Sequence, residues 1–306
     1  MFENNRDLYS LTHNLTIEKL LNIAIVELEN LLKIQNTISH PYLANIEPCN
    51  ICNLKCVLCP SGGNYDKTMK RGKMTLDTFN KIIDEYGKYL TTLLLYNYGE
   101  PFLNKDLLKM VKIAHNKGIG VWLSTNFQIF NEVMALDVVT SGLERLIISV
   151  DGSTQEIYEK YRVGGSLEKL LNNIETLKST KYLFNSNRPI IELQTVLMSH
   201  NKENIINIKR LADKYNIYHR IVPCSLMGSD KDEFLVDKTT NPYYQGKLKS
   251  CFWTYRWIVF DWDGEMYPCC STSGAKGAKI KDNSKPKIRG IFKGRKTGVY
   301  CSKCYE

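Results

Sequence analysis

Residues 52–60 read CNLKCVLCP and place Cys52, Cys56 and Cys59 at the spacing C-x3-C-x2-C. The segment follows an apolar run at 43–47 that is typical of a buried strand. A loop after a barrel strand lies where such folds carry their active sites. Three thiolates can hold three irons of a 4Fe–4S cluster and leave the fourth iron open to a ligand. A zinc site completed by Cys49 is the alternative.

Short apolar runs alternate with amphipathic helical segments between residues 42 and 223. The runs lie at 43–47, 92–97, 119–124, 146–150, 190–197 and 217–222. Helix ends are readable, for example at Thr75, which is a predicted N-cap. Serial strand–helix units favour an α/β fold with a parallel sheet and outer helices. Six units are too few for a closed eight-stranded barrel, so the sequence predicts an open partial (β/α)6 barrel.

The remaining segments are assigned by composition. Residues 224–250 are polar and aperiodic, which is typical of a linker, and residues 251–306 form a second, cysteine-rich region. Residues 1–41 are predicted to be a helical extension. Within it, Thr16 is a candidate N-cap and six apolar residues share one helical stripe. We expect this stripe to pack on the barrel. Its members are Ile17, Leu20, Leu21, Ala24, Leu28 and Leu31.

Composition excludes several classes of protein. The chain of 306 residues is 43% hydrophobic and 24% charged, which is ordinary for a soluble globular protein. No apolar run reaches the roughly 18 residues of a membrane span, and no secretory signal pattern is present at the N-terminus. A cytoplasmic protein is therefore predicted. In a reducing compartment, ten cysteines favour metal ligation or redox chemistry over disulfides.

The positive net charge of +9 is local. Residues 275–303 hold eight lysines, two arginines and one acid, while the rest of the chain has 31 basic and 31 acidic residues. This pattern indicates an anionic substrate group or a solvated loop. The basic residues are not interleaved with aromatic ones, so nucleic acid is not a predicted partner.

Polar motifs follow the second, third and fourth predicted strands. They are Tyr98-Gly99-Glu100-Pro101, Ser124-Thr125-Asn126 and Ser149-Val150-Asp151-Gly152. Each alone is an ordinary turn signal. Together they predict one site, because the carboxyl ends of parallel strands share an edge of the barrel.

With the three cysteines, these motifs resemble the radical S-adenosylmethionine (SAM) enzymes over residues 42–223. The resemblance implies a SAM-binding 4Fe–4S cluster on Cys52, Cys56 and Cys59. It implies that the backbone and carboxylate of the Gly99, Glu100 and Pro101 segment receive the SAM amino group. The resemblance also implies further SAM contacts from six residues. Leu58 packs on adenine, Ser124, Asn126, Ser149 and Asp151 contact the ribose and carboxylate, and Arg162 pairs with the carboxylate.

The C-terminal cysteines suggest a second metal site. Residues 256–267 read as a β-hairpin around Asp263-Gly264, which would bring flanking cysteines together with the C-x2-C pair at 301–304. A zinc ribbon is one interpretation. The order C-x12-G-x4-C resembles the SPASM/twitch extension of radical SAM enzymes instead. In its short form this extension implies one auxiliary 4Fe–4S cluster, here on Cys251, Cys269, Cys301 and Cys304, with Cys270 as an alternative to Cys269.

The resemblance implies reductive cleavage of SAM to methionine and a 5′-deoxyadenosyl radical, which abstracts hydrogen from a substrate carbon. It also implies an electron donor such as flavodoxin or ferredoxin. We expect an oxidoreductase or epimerase acting on a sugar or aminocyclitol-type molecule, with Cys224 or Cys270 as hydrogen donor in an epimerase. The first 40 residues are too short for a peptide-leader domain, which favours a small molecule over a peptide or protein substrate. A non-catalytic iron–sulfur electron carrier is the alternative of another class.

Overall fold

A computed structural model of the chain describes residues 15–32, 34, 37–63, 69–226, 230–237, 253–267 and 270. The strands are β1 (Leu43–Ile46), β2 (Thr92–Leu94), β3 (Gly120–Thr125), β4 (Arg145–Ser149), β5 (Ile190–Leu197), β6 (Tyr218–Pro223), β7 (Trp257–Phe260) and β8 (Met266–Tyr267). The helices are α1 (Ile17–Leu31), α2 (Leu76–Tyr86), α3 (Leu107–Asn116), α4 (Glu132–Thr140), α5 (Gln155–Tyr161), α6 (Leu167–Leu183), α7 (Ile205–Lys214) and α8 (Trp253–Arg256).

The strands form one sheet in the order β6-β5-β4-β3-β2-β1-β7-β8. Neighbouring strands from β1 to β6 are parallel, and helices connect them. The prediction of an α/β partial barrel with six strand–helix units is therefore confirmed. The six predicted strands end within a few residues of the observed ones.

Side-chain caps fix where several helices begin. Thr16, Thr75, Asn131, Thr154 and Ser166 each accept a hydrogen bond from a backbone N–H in the first turn of the following helix. These bonds satisfy donors that have no partner within the helix.

Two apolar clusters lie on opposite faces of the sheet. The outer one packs strand residues such as Leu93, Val121 and Leu193 against α2 to α7. The inner one fills the amino-terminal part of the barrel with Leu43, Leu94, Trp122, Ile147 and Trp257. Because side chains alternate across a strand, the remaining inward positions nearer the carboxyl ends are left for polar residues.

Helix α1 covers the inner cluster, but with the face opposite to the one predicted. Val26 is fully buried there, while the six residues of the apolar stripe are exposed. The expectation that the stripe packs on the barrel is wrong.

Polar anchors explain the orientation of α1. Lys19 Nζ donates to the Gly118 carbonyl at 2.7 Å, and Asn22 exchanges two hydrogen bonds with the backbone of His40. Glu29 accepts from the Ile38 N–H at 2.7 Å. Each anchor would leave a buried polar group unpaired if the helix rotated, and such groups are costly.

The predicted hairpin around Asp263-Gly264 is present. β7 and β8 pair antiparallel, and Gly264 adopts a left-handed conformation at φ +87°. β7 also pairs in parallel with β1, with Leu43 opposite Trp257. The hairpin is thus continuous with the barrel sheet. Cys251, Cys269, Cys301, Cys304 and the lysine-rich stretch lie outside the described residues, so the auxiliary cluster and the domain boundaries stay predictions.

None of the helices in the described residues has the length and apolarity that a membrane crossing requires.

The orientation of α1 can be tested by stability. We expect Val26→Ala to lower the free energy of unfolding by about 2 kcal/mol, because it leaves a cavity beneath the helix. Leu21→Ala is the matched control on the exposed stripe and should change it by less than about 0.5 kcal/mol. Urea unfolding followed by circular dichroism measures both. A larger loss for Leu21→Ala than for Val26→Ala would contradict the observed orientation.

Candidate active site

The cysteine loop after β1 is held in place by backbone hydrogen bonds to the end of α5. The N–H of Lys55 donates to the Val163 carbonyl at 3.0 Å and that of Val57 to the Tyr161 carbonyl at 3.2 Å. The loop also closes on itself, since the Gly63 N–H donates to the Cys56 carbonyl at 2.7 Å. The three cysteines are therefore displayed on a fixed backbone.

Arg71 clamps the two ends of this loop and is a residue that the sequence analysis missed. Its guanidinium donates to the carbonyls of Asn50 at 2.9 Å and Pro60 at 2.8 Å. The planar fork of an arginine suits such a bridge between two acceptors.

The three thiols lie in surroundings that suit metal-bound sulfur. Burial raises the pKa of Cys52 to about 12 and that of Cys59 to about 11, and it also raises the pKa of Cys56. Thiolates form at these positions only if a bound cation compensates for the lost hydration. The Leu54 N–H at 3.4 Å from Cys52 Sγ supplies the kind of donor that iron–sulfur thiolates accept.

The donor set fits a cluster better than a single ion. Within the described part of the chain, no three Cys, His, Asp or Glu side chains converge on a position for one metal ion. A 4Fe–4S cluster takes one thiolate at each of its separate corners, so it needs no such convergence. Cys49 is buried with its Sγ 3.5 Å from the Ile51 carbonyl. The alternative of a zinc site completed by Cys49 stays a prediction.

Glu100 ties the loop after β2 to the end of β3. Its buried carboxylate accepts from the Phe102 N–H at 3.1 Å, the Thr125 hydroxyl at 2.8 Å and the Asn126 N–H at 2.8 Å. Burial raises its pKa to about 7. The carboxylate that the sequence analysis assigned to SAM is thus engaged in holding two loops, while the Glu100 N–H donates to the Ile51 carbonyl, just before Cys52, at 2.9 Å.

Glu47, which the sequence analysis missed, supports the same loop from β1. Its carboxylate accepts from the Tyr98 N–H at 2.8 Å and from the Gly99 N–H, and burial raises its pKa to about 7. Gly99 lies so close to β1 that an added Cβ would stand 2.0 Å from the Cys49 carbonyl oxygen. Only glycine allows this approach. An acid at the end of an apolar strand was the available signal.

Asp151 and Arg162 form a buried ion pair next to the cysteine loop. Arg162 Nε lies 2.5 Å from Asp151 Oδ2, and Asp151 Oδ1 accepts from the Val196 N–H at 2.7 Å. The charge of Asp151 raises the pKa of Arg162 further above its usual range, against the opposing effect of burial. Arg162 Nη1 lies 3.9 Å from Cys56 Sγ. Asp151 is fully buried and therefore orients Arg162 toward the cysteines.

Asn126 is the predicted residue that comes nearest to Cys52. Its Nδ2 lies 2.9 Å from Asn53 Oδ1 and 3.6 Å from Cys52 Sγ. Ser124 and Ser149 lie at the carboxyl-terminal parts of β3 and β4, Ser149 being buried. The predicted motifs thus meet at one edge of the sheet.

The three remaining predicted residues differ in burial. Leu58 and Cys224 are buried in one apolar cluster with Tyr161, so little of Leu58 is accessible to an adenine ring. Burial raises the pKa of Cys224 to about 11. Cys270 is partly exposed, and its carbonyl lies 3.5 Å from Asn97 Nδ2. The hydrogen-donor roles of both cysteines stay predictions.

Comparison with known proteins identifies the family of this site. The model of the Radical SAM superfamily matches residues 46–213. The AdoMet-dependent heme synthase of Methanosarcina barkeri (strain Fusaro / DSM 804) is 27% identical over 188 residues, which are 60% of this chain and 51% of that protein. The chain spans about half or less of the length of the first curated relatives it matches.

Solved structures share the fold. Streptococcus suis SuiB bound to precursor peptide SuiA has a TM-score of 0.68 at 15% identity, covering 90% of this chain and 72% of that one. BtrN in complex with AdoMet and 2-DOIA has a TM-score of 0.55 at 15% identity, covering 88% of this chain and 94% of that one.

The two buried acids predict a pH dependence of stability in the cluster-free protein. The folded-state pKa of Glu47 is about 7, above the ordinary value of 4.5 for a glutamate, because the carboxyl is buried. The unfolded state therefore loses its proton first as pH rises, and the free energy of unfolding falls between about pH 4.5 and 7.

The Gln side chain in Glu47→Gln is neutral at every pH. Between pH 5 and pH 8 this variant should therefore lose about 2 kcal/mol less free energy of unfolding than the unaltered chain, as measured by urea unfolding. Glu156→Gln, an exposed acid on α5, is the control. An unchanged slope in Glu47→Gln would contradict the assignment.

Proposed function

The chain belongs to the Radical SAM superfamily, and we propose that it abstracts hydrogen from a carbon of a small-molecule substrate. Membership implies a 4Fe–4S cluster and SAM as cofactors, and Cys52, Cys56 and Cys59 are the residues that would hold the cluster. When bound, these cofactors supply a 5′-deoxyadenosyl radical, the hydrogen-abstracting species.

One observation carries this proposal: the cysteine loop, Asn126 and Arg162 meet at the carboxyl-terminal edge of β1 to β4. Arg162 is a permanent cation and suits a carboxylate such as that of SAM. Asp151 fixes the orientation of Arg162, and Glu47 and Glu100 fix the backbone of the 98–101 segment. The protein thereby contributes positioning to a reaction whose chemistry belongs to the cofactors.

For the substrate, we favour oxidation or epimerisation of a sugar or aminocyclitol-type molecule. The fold likeness to BtrN in complex with AdoMet and 2-DOIA supports this substrate class, because the match covers 94% of the BtrN chain. A peptide or protein substrate is the second candidate, and the higher TM-score with SuiB bound to a precursor peptide supports it. A direct comparison of the products formed from the two kinds of substrate distinguishes these candidates.

The enzyme proposal is tested by SAM cleavage. We expect the anaerobically reconstituted protein to form 5′-deoxyadenosine from SAM with dithionite, as detected by mass spectrometry. Cys56→Ala should lose at least about 100-fold of this activity, because one corner of the cluster is unligated. Cys49→Ala is the matched control from the same loop and should retain both cluster absorbance and cleavage. A protein that holds its cluster but cleaves no SAM would support the electron-carrier alternative and overturn the enzyme proposal.

The auxiliary cluster is tested by metal content. We propose that Cys251, Cys269, Cys301 and Cys304 hold a second 4Fe–4S cluster, so the reconstituted chain should contain about eight irons. The double variant Cys301→Ala/Cys304→Ala should fall to about four, whereas Cys224→Ala should not change the count. About four irons with one zinc in the unaltered chain would establish the zinc ribbon instead.

A further inference from the structure

A group of charged side chains lies on the inner face of β4, β5 and β6, apart from the cysteine loop. Ile191 and Leu193 of β5 pack in the outer core. Because side chains alternate along a strand, Glu192 and Gln194 face the barrel interior. Arg145 of β4 and Arg220 of β6 both reach Glu192. None of these residues was singled out by the sequence patterns.

One carboxylate serves two guanidinium groups in this arrangement. Glu192 Oε2 lies 2.8 Å from Arg145 Nη1, and Glu192 Oε1 lies 2.7 Å from Arg220 Nε. Both arginines are permanently charged. The group therefore holds one positive charge in excess. The pair of Glu192 and Arg145 alone would be neutral. Adding the guanidinium of Arg220 costs desolvation energy, although Glu192 already has a partner in Arg145.

The two arginines differ in accessibility and in how their donors are used. The side chain of Arg145 is 5% exposed, and its guanidinium stacks 4.2 Å from the Trp122 ring. The side chain of Arg220 is 24% exposed, and its Nη2 donates to Gln194 Oε1 at 2.7 Å. The Nη1 of Arg220 has no hydrogen-bond partner among the residues that the structure describes. Among the described residues, Arg220 is thus held on one side by Glu192 and Gln194 and meets no acceptor on the other.

The surrounding groups leave the excess charge in place. Tyr96 of the 92–97 segment is partly buried close to Arg220 and Glu192, and loss of hydration raises its pKa to about 12, so it is neutral. The carboxyl-terminal edge of β1 to β4, which carries the cysteine loop, is called the cofactor edge below. Its buried acids have their own partners: Asp151 pairs with Arg162, and Glu47 and Glu100 accept backbone N–H donors.

We propose that Arg220 binds an oxyanion of the substrate, a carboxylate or a phosphate, inside the barrel. An oxyanion would neutralise the excess charge and accept the open Nη1 donors in a charge-assisted hydrogen bond. Glu192 and Gln194 are positioning residues that hold the guanidinium, and Arg145 holds Glu192. The inference rests on the proposed function, because it places the substrate in the barrel below the cofactor edge.

The test is titration calorimetry of the cluster-loaded chain with inorganic phosphate and, separately, with malonate. We expect one of them to bind with a saturable component that Arg220→Gln weakens at least about tenfold, the loss typical of a charge-assisted hydrogen bond. Whichever anion binds identifies the phosphate or the carboxylate as the preferred group. Arg210→Gln, an exposed arginine on α7, removes the same charge and should bind like the unaltered chain.

Arg220→Lys provides a second variant in case Arg220→Gln does not fold, as judged by its melting curve. It keeps the charge but loses the fork, and it should still weaken binding several-fold. If neither anion binds the unaltered chain, the inference is overturned. It is also overturned if the Arg220 variants bind as tightly as Arg210→Gln, and the anion would then bind elsewhere, for instance at residues 275–303. SAM cleavage without anion binding defeats only this inference, whereas anion binding without SAM cleavage defeats only the proposed function.

Discussion

The buried carboxylate of Glu100 is the constraint on which the site depends. It gathers donors from Phe102, Thr125 and Asn126, which belong to two different strand ends. Because an unpaired buried N–H is costly, these two strand ends cannot separate without losing stability. Asn126 is thereby held near Cys52. Glu47 acts in the same way on Tyr98 and Gly99, so two acids set the spacing between the loops that follow β1, β2 and β3.

The sequence was sufficient for the fold because its signals are local. Alternating apolar runs and capped helices specify strand–helix units. Because a helix connects each strand to the next, these units favour a parallel sheet. The cysteine spacing and the strand-end motifs predicted a shared edge of the sheet for the same reason. Each motif lies within a few residues of a strand end, and parallel strands bring their ends together.

What the sequence did not reveal depends on partners far away along the chain. The periodicity of α1 defined an apolar stripe, but the buried face was decided by Lys19 and Asn22, whose partners are Gly118 and His40. Glu47, Arg71 and Glu192 stand alone in the sequence, without a repeat or spacing that marks them. The turn at Asp263-Gly264 predicts a hairpin from its own residues, whereas the pairing of β7 with β1 joins segments about 200 residues apart.

The pairing of β7 with β1 determines which strands form the edges of the sheet. β6 and β8 are the outermost strands that the structure describes, and they come from the middle and the last part of the chain. No ladder among the described residues joins them. Arg220 lies on β6. An anion bound to Arg220 would therefore lie beside an edge strand and not at the centre of the sheet.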